Sequence, residues 1–370
     1  MLLGFKTELK LNNQERTVLR KHAGVARHAW NQALHYTKLV LDVNKLAREV
    51  DRPDLKIKFP SAIDLHKWLV ANVKTEYPWY YEVSKSAPQN ALRNLRIAWE
   101  RCFNKRTMPP KFKKKKGDQS FTLDGRIKLV GAKKIKLPRI GILRTFEPLA
   151  DIGKIKSVTI SENCGRWFIS YRYKPDIRPT EKTNLAVGVD LGVKHYATLS
   201  NGEIWDAPRE VKAIKEKIRR IQWLNRNKVI GSNSWKRYRQ NIRDLYSRQT
   251  CLKRDFIHKF TTYLAKNFKC IVVEDLNVKG MMANHKLAGA IGLIGFYETV
   301  RQLKYKCELY GSKLIQADRW FPSSKLHHKC GWKNVDLKLS DRTFYCPHCD
   351  ESIDRDLNAA LNLEQLAYSS

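Results

Sequence analysis

Three carboxylates stand where a folded chain does not usually leave a charge: Asp190, Glu274 and one of the pair Asp354 and Asp356. Asp190 lies in Leu185-Ala-Val-Gly-Val-Asp-Leu-Gly-Val193, a continuous apolar run with β-branched residues. That pattern predicts a central strand buried on both faces. A carboxylate inside such a strand is costly unless it is paired or holds a metal. Glu274 ends a second apolar strand, Lys269-Cys-Ile-Val-Val-Glu-Asp-Leu276, at the C-terminal edge where open α/β sheets bind ligands. Its neighbour Asp275 is the second choice for the same role. Asp354 and Asp356 open the helix-forming stretch Asp354-Arg-Asp-Leu-Asn-Ala-Ala-Leu-Asn362, where either acid could serve as a cap or as a favourable first-turn charge. Taken singly, each acid has an ordinary structural reading. Two strand-end acids followed by a helix-start acid, however, match what an RNase H-like nuclease needs. Such a site holds two Mg²⁺ about 4 Å apart with bridging and terminal carboxylates, activating water on one side of the phosphorus and stabilising the leaving oxygen on the other.

The elements that must position these acids are readable around them. After Asp190, His195-Tyr-Ala-Thr-Leu-Ser-Asn-Gly202 alternates and breaks at Asn-Gly, so the two runs predict an antiparallel hairpin. Between the first two acids, residues 212–268 predict two long helices broken near Gly231-Ser-Asn-Ser234. Their charges are almost all positive, and Arg219, Arg220 and Arg254 are candidates for contacting a nucleic-acid backbone. The first half of the chain opens with an alternating strand, Gly4 to Leu11. A helix capped by Asn13 follows, and then a second helix from Ser86 to Phe103. Next comes Lys105-Arg-Thr-Met-Pro-Pro-Lys-Phe-Lys-Lys-Lys-Lys-Gly117, too basic and too broken by proline to predict a packed element. Its Lys113, Lys114, Lys115 and Lys116 are expected along phosphates. Five short segments follow, within 120–123, 126–130, 134–137, 154–160 and 166–173, alternating Lys or Arg with apolar residues. They predict a β-barrel with one basic face.

Composition bounds the partner. With 71 Lys and Arg against 36 Asp and Glu, the formal net charge is +35, more than a protein touching roughly ten phosphates needs. A long polyanion is implied. No apolar stretch approaches the ~18 residues of a membrane span, and Met1-Leu-Leu-Gly-Phe-Lys6 has no signal-peptide core. The eight cysteines are unevenly spaced, which fits a reducing cytoplasm, with association to the prokaryotic nucleoid, better than a disulfide framework. Cys102, Cys164, Cys251, Cys270 and Cys307 read as ordinary thiols.

Gly188-Val-Asp-Leu-Gly-Val-Lys194, Val273-Glu-Asp-Leu276, Phe321-Pro-Ser-Ser324, the paired metal knuckles and Asp354-Arg-Asp-Leu-Asn-Ala-Ala360 together resemble the TnpB family of transposon-encoded RNA-guided nucleases, related to compact type V CRISPR effectors. The resemblance covers roughly residues 185 to 363. It implies a RuvC triad of Asp190, Glu274 and Asp356 holding Mg²⁺, with Mn²⁺ as a possible substitute. It also implies a guide RNA and a double-stranded DNA target, with no membrane or small-molecule substrate. The fold class implied is α/β and α+β, in several domains. An oligonucleotide-binding-like wedge (1–11 and 104–180) is split by a helical recognition lobe (12–103). An RNase H-like RuvC domain (181–320 and 351–370) carries a zinc ribbon (321–350). By the same matching, Lys85, Gln89 and Thr122 are candidates for reading a short motif flanking the target, and Arg342 for reaching the scissile phosphate. Arg254-Asp-Phe-Ile-His-Lys259 also resembles a family motif, with His258 structural or facing nucleic acid. A guide-independent transposase and a CRISPR effector remain alternatives on the same catalytic half, and an RNA-binding protein with structural acids is the non-enzymatic one.

The ribbon departs from the family pattern. His327 stands where the first knuckle usually has Cys, giving His327-x-x-Cys330 and Cys346-x-x-Cys349, still an accepted set for one tetrahedral structural zinc. Asp350 replaces the usual Gly after the second knuckle, and Asp tolerates the left-handed conformation better than most residues. His328 is expected to point elsewhere.

Overall fold

The computed structural model describes residues 3–115, 119–149, 155–177, 179–283, 285–338 and 341–369. Lys116 lies outside the described residues. The chain divides into two compact units, Met1–Pro175 and Asp176–Ser370.

In the first unit β1 (Leu3–Lys10) leads into α1 (Asn13–Glu49), α2 (Ala62–Trp68) and α3 (Ser86–Phe103). Six strands follow: β2 (Ser120–Asp124), β3 (Lys128–Gly131), β4 (Lys134–Leu137), β5 (Gly141–Thr145), β6 (Ser157–Asn163) and β7 (Arg166–Tyr173). They join β1 in one seven-stranded sheet of order β2-β6-β7-β1-β5-β4-β3, antiparallel at every described pairing. The helices and the sheet share one core, with Leu19, Ala29, Leu92, Leu95, Leu123, Ile160 and Ile169 fully shielded. The cap of α1 is Asn12, not Asn13. Asn12 accepts from Glu15 N while its own N–H donates to the Glu15 carboxylate, each at 2.8 Å, and this reciprocal box requires Glu three residues after the cap.

The second unit begins with β8 (Asn184–Leu191), β9 (Ala197–Leu199) and β10 (Ile204–Trp205), followed by α4 (Arg209–Leu224) and α5 (Asn233–Asn267). Then come β11 (Phe268–Glu274), α6 (Val278–Ala283), α7 (His285–Ile294), α8 (Phe296–Tyr310) and β12 (Lys313–Ala317), and last β13 (Thr343–Cys346), β14 (Glu351–Asp354) and α9 (Arg355–Gln365). The five-stranded sheet has order β10-β9-β8-β11-β12. The β8–β9 pair is the antiparallel hairpin expected from sequence, while β11 runs parallel to both β8 and β12. One face of this sheet packs Val187, Val189 and Val273 against Phe260 and Leu264 of α5 and Leu303 of α8. The other face packs Val272 and Ala317 against Leu363 of α9. A sheet covered on both faces explains why β8 and β11 read as continuous apolar runs.

Candidate active site and metal cluster

Register brings the first two acids together. Val189 pairs with Val273 in the parallel β8–β11 ladder, so Asp190 and Glu274 follow side by side at the C-terminal ends of neighbouring strands. Alternation puts both on the face that carries Val272 and meets α9. Gly188 shares that face. A Cβ there would sit 1.9 Å from Ala360 O and 2.6 Å from Glu364 N, so only glycine lets α9 lie this close to β8. Asp356 is one helical turn before Ala360, and Asp190 is two residues after Gly188. The close approach therefore carries the first turn of α9, with Asp356, to the acids.

The two open choices of the sequence resolve on local contacts. Asp354 caps α9, its Oδ1 accepting from Asp356 N at 2.9 Å and Leu357 N at 3.0 Å, which leaves Asp356 as the acid facing the cluster. Asp275 is taken by Arg319, whose Nη2 lies 2.7 Å from Asp275 Oδ2, so Glu274 is the acid left for the site. Ser323 Oγ donates to Glu274 Oε1. Arg355 holds Asp356 at 3.0 Å, and Arg342 Nη1 lies 3.9 Å from the other Asp356 oxygen. Burial, and then the charges of Glu274 and Asp356, hold the Asp190 carboxyl well above the usual carboxylate range. Burial also raises the Glu274 carboxyl, opposed by the Ser323 hydroxyl. An all-oxygen donor set in which enclosed carboxylates repel one another suits a hard divalent cation.

The four knuckle residues also converge. The ligand atoms of His327, Cys330, Cys346 and Cys349 all lie within 4.8 Å of one another, with His327 Nδ1 3.2 Å from Cys330 Sγ and Cys330 Sγ 3.5 Å from Cys346 Sγ. The two knuckles end alike, Gly331 at φ 72° and Asp350 at φ 49°, so Asp350 does adopt the left-handed turn. His327 is fully buried, and its Nε2 lies 3.6 Å from Glu351 Oε2. Nδ1 is the ring nitrogen that faces the sulfurs. His328 points away, its backbone N and Nδ1 meeting Asn358 Oδ1 at 3.0 and 3.2 Å.

Sequence reasoning missed the tie between the clusters. Asn362 Nδ2 donates to both Ser323 O and Leu326 O at 2.7 Å, and Asn358 Nδ2 to Leu326 O at 2.6 Å. Both amides are buried. They fasten the segment that carries Ser323 and the first knuckle onto α9. Two asparagines four residues apart in an otherwise apolar helix face were the available signal.

The basic residues lie on both units. Arg219 and Arg220 on α4 and Arg254 on α5 are exposed, with Arg219 only 3.9 Å from Glu216 in an open ion pair. Lys85 precedes α3 and Gln89 lies in its first turn. Asn90, next to Gln89, donates to the Thr122 carbonyl of β2 at 3.3 Å. The segment after Lys105 forms no helix or strand among its described residues and is exposed except at Pro110, as expected, but it is anchored at Lys111 and Lys113. Asn31 exchanges hydrogen bonds with the Lys113 backbone at 2.8 and 3.0 Å, Trp30 Nε1 donates to Lys111 O at 3.0 Å, and Lys113 Nζ lies 4.1 Å from the Trp30 ring centroid. Lys114 and Lys115 are exposed.

The chain is similar to known proteins over most of its length. A family model described as a probable transposase, OrfB of IS605, matches residues 168–285, and a Cas12f1-like TNB domain matches 296–363. A helix-turn-helix model matches residues 1–39, but here they form a strand and part of the uninterrupted α1, so no helix-turn-helix is made. Two solved structures share the fold: a Cas12f1–sgRNA–target DNA complex, with TM-score 0.56 at 12% identity over 98% of each chain, and the mini-RNA-guided endonuclease CRISPR-Cas_phi3, with TM-score 0.52 at 10% identity over 99% of this chain and 92% of that one. The fold is thus the one these two structures share, mixed α/β in more than one unit. A "Putative RNA-guided DNA endonuclease" of Streptomyces pristinaespiralis is 34% identical over 78% of this chain and 73% of the relative. Another so named, InsQ of Escherichia coli K12, is 29% identical over 98% of this chain and 91% of its own length. The chain belongs to the TnpB family, the OrfB proteins of IS605-type elements. No helix among the described residues is long and apolar enough to cross a membrane.

Proposed function

We propose that this protein is an RNA-guided DNA endonuclease that hydrolyses target DNA at a RuvC site formed by Asp190, Glu274 and Asp356. The convergence of these acids from two parallel strands and a helix, enclosed and short of compensating charge, is the observation that carries the reading. Mg²⁺ held by the three carboxylates would supply an activated water and charge stabilisation at the leaving oxygen. The chain's own residues do the rest. Ser323 fixes the orientation of Glu274, and Arg355 holds one Asp356 oxygen while the other stays available. Arg342, half exposed beside that oxygen, is placed to meet a phosphate approaching the acids and to offset its developing charge.

The five-stranded sheet with α9 supports an RNase H-like assignment for residues 181–320 and 351–370, and the His/Cys cluster supports a ribbon over 321–350 holding one structural zinc. The seven-stranded sheet is assigned as the oligonucleotide-binding-like wedge, and α1 to α3 as the recognition lobe. A net charge of +35 suits a guide RNA paired with target DNA over about 20 base pairs, with exposed Arg219, Arg220, Arg254, Lys114 and Lys115 on the backbone. Lys85, Gln89 and Thr122 are assigned to the flanking motif.

The test is cleavage of a matched target by protein purified with its RNA. Asp190→Ala and Glu274→Ala are each expected to abolish cutting and leave RNA and target binding intact, and Ca²⁺ to support binding with little cutting. Cutting that survives either substitution would sink the assignment. RNA-free protein that cuts DNA at a fixed sequence would replace it with a guide-independent transposase.

A further inference from the structure

A cavity of about 510 Å³ opens beside the β8–β9 loop, starting at Gly192, two residues along the chain from Asp190 and on the side of the sheet covered by α5, across the sheet's edge from the face that carries the acids. Its walls come from that loop, the start of α4 and the middle of α5. The floor is aromatic and apolar. Tyr196 and Phe256 meet edge to face, with centroids 4.7 Å apart at 90°. Tyr196 is buried at 3% exposure and its hydroxyl is satisfied by Thr299 at 2.5 Å, so the half-buried Phe256 ring is the aromatic surface an occupant can meet. Val193, Ala207 and Pro208 complete the apolar lining. The rim has the opposite character. Lys194, Lys212 and Lys215 are exposed, and among the described residues none is given an ion pair or side-chain hydrogen bond. The rim's Glu216 lies 3.9 Å from Arg219, and Lys253 is spent on Gly292 O at 2.7 Å.

We infer that this cavity takes one unpaired base of the DNA strand passing the acids, with the flanking phosphates on Lys194, Lys212 and Lys215. The inference rests on the nuclease reading for the strand's presence. A recess with an aromatic floor and, among the described residues, three unpaired cations on its rim fits a base attached to a charged backbone. A purely apolar ligand leaves the lysines without a partner. A duplex cannot enter without unstacking, whereas a strand that is already unpaired presents a bare π face at no such cost. Holding one base there would fix the register of the strand relative to the acids.

The test separates the two readings by using Asp190→Ala protein loaded with its RNA, which binds target without cutting it. Target DNA carries 5-iododeoxyuridine at successive positions around the cut, and irradiation is followed by peptide mapping. One position is expected to attach to the peptide containing Tyr196 or Phe256. Ala207→Trp, which fills the recess, should lower that attachment at least tenfold. With the acids intact, an abasic site at the same position should slow cleavage roughly tenfold, the scale of one base–aromatic contact. Should the tryptophan variant misfold, Lys212→Ala with Lys215→Ala decides, with lower attachment and a salt slope reduced by about two. Attachment to other peptides only, attachment of the RNA instead, or yields indifferent to these changes overturns the inference. Whether Asp190→Ala still cuts judges the nuclease reading alone.

Discussion

The acid cluster and the His/Cys cluster belong to the same unit and share α9 as a support, yet they are built in opposite ways. The acids come from three distant stretches and are set by strand register, by one glycine and by a cap, so their scaffold is complete without an ion. The knuckles are local in sequence and carry little apolar cover, with Cys330 and Cys349 exposed and, among the described residues of 326–350, only Phe344, Cys346 and His327 deeply buried. There the ion is expected to be the core. A carboxylate site of the first kind can lose its chemistry and keep its fold, whereas a knuckle site of the second kind loses both together.

That contrast can be broken by experiment. The largest effect is expected from Asp190→Ala, with cleavage falling ~10³-fold or more. Its metal-free thermal stability should hold or rise by on the order of 1 kcal/mol, because an enclosed charge is removed. A cooperative loss of stability on calorimetry would show that the acids are structural after all. Next is Cys346→Ser: metal analysis is expected to give one equivalent of zinc for the unmodified protein and none for the variant, whose ribbon should be open to protease and whose cleavage should be abolished. His327→Cys should keep the zinc. Metal-free protein with full activity would refute the ribbon's role.

Gly188→Ala sharpens the comparison, because it touches no ligand. Its methyl group would collide with the α9 backbone, so a stability loss of about 1–3 kcal/mol is expected, together with weakened Mn²⁺ binding at the acids by titration. Stability loss with metal affinity unchanged would mean that α9 does not set the site. The smallest effect belongs to Asp354→Ala, about 1 kcal/mol from the lost cap, with cleavage reduced less than by Asp356→Ala. Equal losses would return Asp354 to candidacy as a ligand.

Much of the second unit was legible because its central strands are buried on both faces, so β8, β11 and the hairpin break at Asn201-Gly202 announce themselves by composition alone. Helix α3 was readable to the residue from its apolar face. Strand β5 was not, since Gly141-Ile-Leu-Arg-Thr145 follows a proline-containing turn and buries only Leu143 and Thr145. The anchoring of residues 111–113 was unreadable because it depends on Trp30 and Asn31, which are distant in sequence. On residue type alone the choice between Asp354 and Asp356 was open, and only the family resemblance pointed to Asp356. Both types suit a helix start, and only the hydrogen bonds decide which one caps.

The order of the three acids along the chain has a consequence for synthesis. The first unit ends at Pro175, before any of the acids has been translated. Asp356 follows Asp190 by 356 − 190 = 166 residues, which at ~5–20 residues per second is roughly 8–33 s of elongation. During that interval α9 does not exist, and Gly188 faces no helix. A ribosome-bound chain can therefore present its finished first unit to a partner while its candidate hydrolytic centre is still short of a third carboxylate.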